Sequence, residues 1–383
     1  MSVTAAKGFA AGAVHSGIRK QDRFDLALLR SLTPATGAGM FTVNRVQAAP
    51  VTVSRDHLQA AQPQAIVANS GVANAATGAQ GLAAARAMTE TAAAKLGLEP
   101  EQVLVLSTGV IGEQLPLERV LTGIDAIELG EDAGGAAAQA IMTTDTHPKQ
   151  SVVHGPGFTV GGMAKGSGMI HPCLATMLAV VTTDYPLEPG EAVAFLRPAV
   201  DASFNAISVD GECSTNDAVL LLANGASGCA RDDEAFAAAL RTVCGELAKQ
   251  IVADGEGATV LAEIAVRGAV NDGEARAIAE RVATSPLVKT ALYGHDANWG
   301  RIAAAAGSAK VTGGFAALDQ DKLSIVIDGV PVLVGGVPSG DEPELTNGHC
   351  AIELDLALGD GVASYLTTDL SYDYVRINAE YRS

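Results

Sequence analysis

Strand-like and helix-like stretches do not alternate along this chain, and that order excludes most simple α/β architectures. Helical periodicity, with apolar residues three and four apart among Ala, Leu and Glu, marks about 79–97, 131–142, 187–200, 233–253 and 273–284. Strand-like runs lie at 102–106, 157–162, 176–183, 218–223 and 258–268. Four more follow at 323–327, 330–335, 351–357 and 372–378. A doubly wound parallel sheet needs a helix between successive strands, so this grouping predicts mixed or antiparallel sheets instead. In "SIVIDGVPVLV" the Asp328-Gly329 step between two β-rich runs predicts a hairpin, because Asp-Gly suits the positive-φ positions of a tight turn.

A length of 383 residues accommodates two domains or one large intertwined one. No Pro/Ser-rich linker divides the chain, and the one compositional seam is the glycine-dense stretch 155–168. Hydrophobic residues reach 48% but aromatics only 4%, so the core must be packed from Ala, Val, Leu and Ile. The net charge of −18 argues against nucleic acid and against an anionic membrane surface, since both select clustered Lys and Arg. No apolar run reaches the roughly 18 residues of a membrane span. The first twenty residues lack the basic start and long apolar core of a signal peptide. The five cysteines (Cys173, Cys213, Cys229, Cys244 and Cys350) are scattered and form no C-x-x-C. Together these features predict a reduced, cytoplasmic protein.

Several familiar motifs fail on inspection. "GGMAKGSG" (161–168) places its lysine before the glycine, unlike a phosphate-binding P-loop. "GSGMIH" lacks the third glycine of a dinucleotide fingerprint, and no serine sits in G-x-S-x-G. His171 and Cys173 stand two apart, but no second pair accompanies them, so no metal site is expected.

Thr176 is the hydroxyl residue at the head of the apolar stretch 175–181. A threonine hydroxyl is a poor nucleophile unless a base lies beside it. A threonine that begins a chain carries its own base, because an α-amine has a pKa of roughly 8 against about 10.4 for lysine. An internal threonine reaches that state if its hydroxyl attacks the preceding carbonyl and water cleaves the ester. Such a step needs a small preceding residue, unusual backbone geometry and donors for the carbonyl oxygen. Ala175, Pro172 and the nearby glycines fit the first two needs. Plain β-structure is the competing account of Thr176.

Other polar islands interrupt apolar surroundings. Ser107-Thr108-Gly109 ends a strand-like run and suits either an oxyanion hole or a strand-to-turn cap. "AIMTTDTHPK" (140–149) places Thr143, Thr144, Asp145 and Thr146 after a helix, where capping is the ordinary use. Glu256 stands between two glycines in "VADGEGA", and "ALYGHDANWGRI" (291–302) holds the single tryptophan.

Taken in order, "STGVIG", "IMTTDT", "AKGSGMI", "LATML", "FNAISVDG", "STND", "DGEGAT", "SPLVKTA", "DANWGRI" and "INAEY" resemble the ornithine acetyltransferase (ArgJ) family nearly end to end. These are the bifunctional glutamate N-acetyltransferases of arginine biosynthesis. The resemblance implies an α+β fold: an αββα-type layered sandwich of mixed sheets, like the N-terminal-nucleophile hydrolases. It implies self-cleavage between Ala175 and Thr176 into an α chain (1–175) and a β chain (176–383), intertwined and assembled as α2β2 or a higher multiple. Thr176 would then carry acetyl in a ping-pong transfer from N2-acetyl-L-ornithine to L-glutamate, with acetyl-CoA as a further donor in some members. No metal and no tightly bound cofactor are implied.

By the same resemblance Thr108 and Gly109 form the oxyanion hole. Lys165, Thr176 and Glu256 contact substrate, as does Thr143, with Thr144 as its alternative. Asn378 and Ser383 are the C-terminal pair closing the pocket. The chain departs from the family at His171-Pro172-Cys173-Leu174, where Ala-Pro-Asn-Met is common. It departs again at Val72 and Ala76, which replace Asn and Cys in "NSGVANAATG" (69–78). These changes touch substrate preference and remove no role-bearing residue. A self-cleaving amidohydrolase or aminopeptidase would share Thr176 but pass the acyl group to water. A non-catalytic binding homologue would stay uncut.

Overall fold

A computed structural model describes residues 2–19, 23–171, 177–346 and 348–380. The chain divides into two compact units, one of residues 2–205 and 212–251, the other of 206–211 and 252–380.

The first unit opens with β1 (Phe9–Val14), β2 (Leu26–Ser31), β3 (Thr36–Phe41), α1 (Ala49–Ala60), β4 (Ala65–Val72), α2 (Gly78–Leu96) and β5 (Val103–Val110). It continues through α3 (Leu117–Ala126), α4 (Gly134–Ala140), β6 (Lys149–Gly155), β7 (Phe158–Lys165), β8 (Leu178–Thr183) and α5 (Ala192–Asp201). The short β9 (Ile207–Ser208) belongs to the second unit, and the chain returns to the first for β10 (Ala218–Ala223) and most of α6 (Asp233–Ala253).

Two sheets result, in the orders β1-β2-β4-β5 and β3-β10-β8-β7-β6. Both are mixed, as the unalternating sequence predicts. Strands β4 and β5 run parallel, as do β8 and β10, and their other partners are antiparallel. Leu29, Ile66, Leu104 and Leu106 of the first sheet meet Met163, Leu178, Val180 and Leu220 of the second, with Ala137 and Ile141 from around α4 in the same core. Each such buried aliphatic side chain contributes about 1.5–3 kcal/mol relative to exposure. The opposite face of the first sheet (Leu28, Val67 and Val105) packs on Met88 of α2 and on Val120 and Ile124 of α3. Helix α6 lies on the far face of the second sheet, so close that a side chain at Gly162 would collide with Val243 and Leu247. The layers are therefore helix, sheet, sheet, helix. Few aromatics are needed, and four of them gather beneath α6: Phe236 stacks on Tyr185 at 4.5 Å and meets Phe158 and Phe195 edge-on.

The second unit holds β11 (Val260–Ala269), α7 (Asp272–Ala283), α8 (Pro286–Tyr293), α9 (Trp299–Ala306), β12 (Lys310–Val311), β13 (Gly314–Phe315) and β14 (Ser324–Ile327). After them come β15 (Val330–Val334), β16 (Val337–Pro338), β17 (Gly348–Asp355), β18 (Gly361–Thr368) and α10 (Tyr372–Glu380). Its main sheet has the order β16-β15-β14-β17-β11-β18-β9. Ile264, Ile325, Ile352 and Leu354 of that sheet pack on Ile278 of α7, Leu292 of α8 and Ile302 of α9. The Asp328-Gly329 hairpin forms as predicted, with φ of 46° and 80° at the two turn residues.

One expectation is overturned. Residues 372–378, rich in Tyr, Val and Ile, form helix α10 and not a strand. A local cap outweighs β-propensity here. The Ser371 hydroxyl accepts a hydrogen bond from the Tyr374 amide at 3.1 Å and donates to the Gly257 carbonyl at 2.6 Å. That serine starts the helix and anchors it beside Glu256.

Among the described residues no helix is long and apolar enough to cross a membrane. Among the described residues Cys213, Cys229, Cys244 and Cys350 form no disulfide, and Cys173 lies outside the described residues.

Candidate active site

Thr108 and Gly109 lie at the carboxyl end of β5, where the β4–β5 ladder loses register opposite Gly71 and Val72. Gly109 has a φ of +132° and faces Gly71, whose φ is +106°. A Cβ built on Gly109 would stand 2.2 Å from the Gly71 carbonyl carbon, so only glycine fits. The irregularity is held by side-chain amides. Asn69 accepts from the Ser107 hydroxyl at 2.6 Å and donates to the Val72 carbonyl at 2.9 Å. The buried Asn216 donates to the Ala73 carbonyl at 2.6 Å and to the Ser107 carbonyl at 2.8 Å. A strand end pinned in this way presents Thr108 and Gly109 in one fixed geometry, as an oxyanion-binding backbone requires.

Asn216 is followed by Asp217, which performs the matching task on the second sheet. Its Oδ1 accepts from the Met177 amide at 3.1 Å, immediately before β8. Burial pushes the Asp217 carboxyl well above the ordinary range, and the Met177 amide, Ser214 and the charge of Lys165 offset this only in part. Lys165 is the last residue of β7, opposite Leu178 in the ladder and buried.

Beyond Lys165 the Gly166 amide donates to Asp145 Oδ1 at 2.7 Å. Asp145 also accepts from Lys149 Nζ at 2.6 Å and, on Oδ2, from the Thr143 amide at 2.8 Å. Its burial favours the neutral acid, yet Lys165, Lys149 and the Thr143 amide outweigh it and hold the carboxyl well below the usual range. Thr143 is half-buried and fixed on both sides, because its carbonyl accepts from Arg19 at 2.9 Å. Thr144 is half-buried beside it. Thr108, Gly109, Thr143 and Lys165 are thus tied together within the first unit by Asn216, Asp217 and Asp145.

Glu256 and Asn378 belong to the second unit, where the Asn378 side chain donates to Glu256 Oε2 at 2.9 Å. The helical form of 372–380 makes this contact, since the same amide also donates to the Tyr374 carbonyl one turn earlier, at 3.1 Å. Ala175, Thr176 and Ser383 lie outside the described residues. Among the described residues no group of three or more His, Cys, Asp or Glu side chains is placed to hold a metal ion.

Lys149, Asn216 and Asp217 were not singled out from the sequence, and Asp145 was read there only as a capping residue. The signal was present in "IMTTDT" and "STND", where a carboxyl or amide follows hydroxyl residues between apolar segments. Polar residues in such positions are expected to be buried and to need partners.

The model of the ArgJ family matches residues 10–383. The chain belongs to the ArgJ family. It is 45% identical to the arginine biosynthesis bifunctional protein ArgJ of Thermosynechococcus vestitus, over 99% of this chain and 97% of that protein. To the protein of the same name from Geobacter sulfurreducens it is 45% identical, over 98% and 99%. Among solved structures, ornithine acetyltransferase of Mycobacterium tuberculosis complexed with ornithine is 41% identical, with a TM-score of 0.44, over 45% of this chain and 94% of that one.

Proposed function

We propose that this protein moves an acetyl group from N2-acetyl-L-ornithine to L-glutamate by way of an acetyl ester on Thr176. Membership of the ArgJ family over residues 10–383 carries the reading, and makes the chain a glutamate N-acetyltransferase of arginine biosynthesis. Its first step is self-cleavage. The Thr176 hydroxyl attacks the Ala175 carbonyl carbon, the C–N bond breaks as the nitrogen takes the hydroxyl proton, and water hydrolyses the ester. An α chain (1–175) and a β chain (176–383) result, assembling as α2β2 or a higher multiple in the cytoplasm.

The freed α-amine, with a pKa of roughly 8, then serves as the base. It takes the Thr176 hydroxyl proton while Oγ attacks the acetyl carbonyl, and the ornithine amine leaves with that proton. The amine of L-glutamate attacks the ester and restores the hydroxyl. Thr108 and Gly109 stabilise the oxyanion of both tetrahedral intermediates, each such donor contributing about 3–4 kcal/mol. Lys165 contacts substrate and, as a cation, favours the neutral form of the Thr176 amine. Thr143, Glu256, Asn378 and Ser383 are the remaining substrate contacts. The scheme needs neither a metal nor a bound cofactor, and acetyl-CoA is an alternative acetyl donor.

The pinned ends of β5 and β8 support the scheme, because both the donors and the backbone next to the nucleophile must be rigid. Intact mass of the purified protein beside Thr176→Ala is the test. The expected result is two fragments parting after Ala175, a whole variant, and one acetyl gained by the β chain on incubation with N2-acetyl-L-ornithine. An uncut wild type that takes up no acetyl would reject it. Release of free acetate at the same rate with and without glutamate would point to a hydrolase instead.

A further inference from the structure

Two buried side chains of the second unit, Asp369 and Ser371, have no part in the scheme above. They lie in the link 369–371 that joins β18 to α10. Beside that link Glu256 and Asn378, 122 residues apart in sequence, meet at 2.9 Å.

Glu256 takes the second place of a tight turn. The Ala258 amide donates to the Gly255 carbonyl at 2.9 Å, and Gly257 has a φ of +68°, a value that suits glycine in the third place. Asp369 grips the chain just beyond this turn. Its Oδ1 accepts from the amides of Thr259 at 2.8 Å and Val260 at 3.0 Å, and its Oδ2 accepts from the Thr259 hydroxyl at 2.8 Å. Ser371 grips the turn itself, donating to the Gly257 carbonyl at 2.6 Å. The same hydroxyl accepts from the Tyr374 amide at 3.1 Å and so sets where α10 begins. There is no slack between turn and helix, since a Cβ on Gly257 would stand 2.5 Å from the Tyr374 nitrogen. The Leu370 amide donates to the Lys289 carbonyl at 3.1 Å, which fastens the link to α8.

Asn378 follows Ser371 by about two helical turns. Both N–H groups of its amide are committed, one to Glu256 Oε2 at 2.9 Å and one to the Tyr374 carbonyl at 3.1 Å. An amide held twice does not swing to follow a displaced carboxylate. The spacing of the pair is therefore set by where the turn and the helix stand, and one link places both. A misplacement of about 1 Å in such a contact can cost as much as about 100-fold.

We propose that Asp369 and Ser371 are positioning residues for substrate binding: they hold the Glu256 turn and α10 in one register, so that Glu256 and Asn378 act as a single contact. No bond forms or breaks at either residue. The proposal rests on the reading in which Glu256 and Asn378 touch substrate.

Ser371→Ala, Ser371→Thr and Asp369→Ala test it beside the wild type and Glu256→Ala, by intact mass and by steady-state transfer from N2-acetyl-L-ornithine to glutamate. Ser371→Ala is expected to be cut to completion, with KM for N2-acetyl-L-ornithine raised about 10-fold and kcat within about threefold of wild type. Ser371→Thr keeps the hydroxyl and should bring KM back to within about threefold. Asp369→Ala should raise KM at least as far as Ser371→Ala, and if it does not fold the serine variants decide. In a chain already carrying Glu256→Ala and Asn378→Ala, Ser371→Ala should change kcat/KM by less than about twofold, because nothing remains to be positioned. A further loss of about 10-fold in that background would overturn the proposal, since the effect would not pass through the pair. So would a wild-type KM in Ser371→Ala, or a fall in its kcat with KM unmoved. A wild-type KM in Glu256→Ala overturns the substrate contact and this proposal together. A raised KM in Glu256→Ala beside an unchanged Ser371→Ala overturns this proposal alone.

Discussion

Lys149 and Asp145 meet at 2.6 Å with neither side chain reaching solvent. Breaking such a pair leaves one charge buried alone, which costs about 3–5 kcal/mol. Asp145→Asn should lose that much stability at pH 7, measured by urea denaturation. Because the folded pKa of Asp145 lies below its ordinary value of 3.8, its contribution is present above that value and drains away as pH falls below it. The wild type should therefore lose stability more steeply than the variant below about pH 4. Parallel acid profiles would count against the pair.

Gly109→Ala should disable the protein through its backbone. The added methyl meets Gly71 on the neighbouring strand, and a φ of +132° is closed to alanine. The expected loss is about 3 kcal/mol of stability and, if the chain still folds, most of the transfer activity. A variant with wild-type melting temperature and kcat would show that β4 and β5 separate freely here.

Lys289 is buried, donating to the hydroxyls of Thr367 at 3.1 Å and Thr368 at 3.0 Å and to the Thr368 carbonyl. Burial pulls its pKa from 10.5 down to about 7, against the opposing charges of Asp369 and Asp210. Between those values the unfolded chain holds a proton that the folded chain has released, so stability rises with pH across the window. From pH 7 to about 9.5 the wild type should gain about 3 kcal/mol relative to Lys289→Met. Urea midpoints at the two pH values measure it, and an equal response in both proteins would show that the amine stays charged.

Glu256→Ala should separate binding from processing. Loss of a charged hydrogen-bonding contact, about 1.5–3 kcal/mol, predicts a KM for amino-acid substrate raised about 10- to 100-fold with self-cleavage complete. Asn378→Ala, which removes the 2.9 Å donor to Glu256, should follow in the same direction with a smaller effect. Steady-state kinetics and intact mass check both, and a KM within about twofold of wild type in Glu256→Ala would remove Glu256 from the substrate contacts.

The sequence made the self-sufficient elements legible. The long helices at 78–96 and 233–253 and the Asp328-Gly329 hairpin carry their own periodicity or turn chemistry. Strands such as "FAAGAV", "TGAGMF" and "AIVANSGV" carry neither, because strands packed inside layered sheets are built from small residues with weak β-propensity. Tyr372–Glu380 misled for the converse reason: its β-formers follow Ser371, and the cap that turns them into a helix depends on Gly257, more than a hundred residues away. The residues of the proposed function divide in the same way. Thr108, Thr143, Lys165 and Glu256 could be named from short strings. Asn216, Asp217 and Asp145 owe their meaning to Ser107, Met177 and Lys165, partners that only the strand order brings beside them.

The order β3-β10-β8-β7-β6 interleaves strands from either side of the 175/176 junction. Strands β10 and β8, which follow it, are wedged between β3 and β7, which precede it, with six registered residue pairs along each seam. A protein severed at that junction has no free half: each piece is the other's missing strand. Separation would strip two ladders at once and bare long hydrophobic edges, so the pieces, made apart, should aggregate. A cut at that junction would have to come after folding, like a seal broken on a vessel already closed.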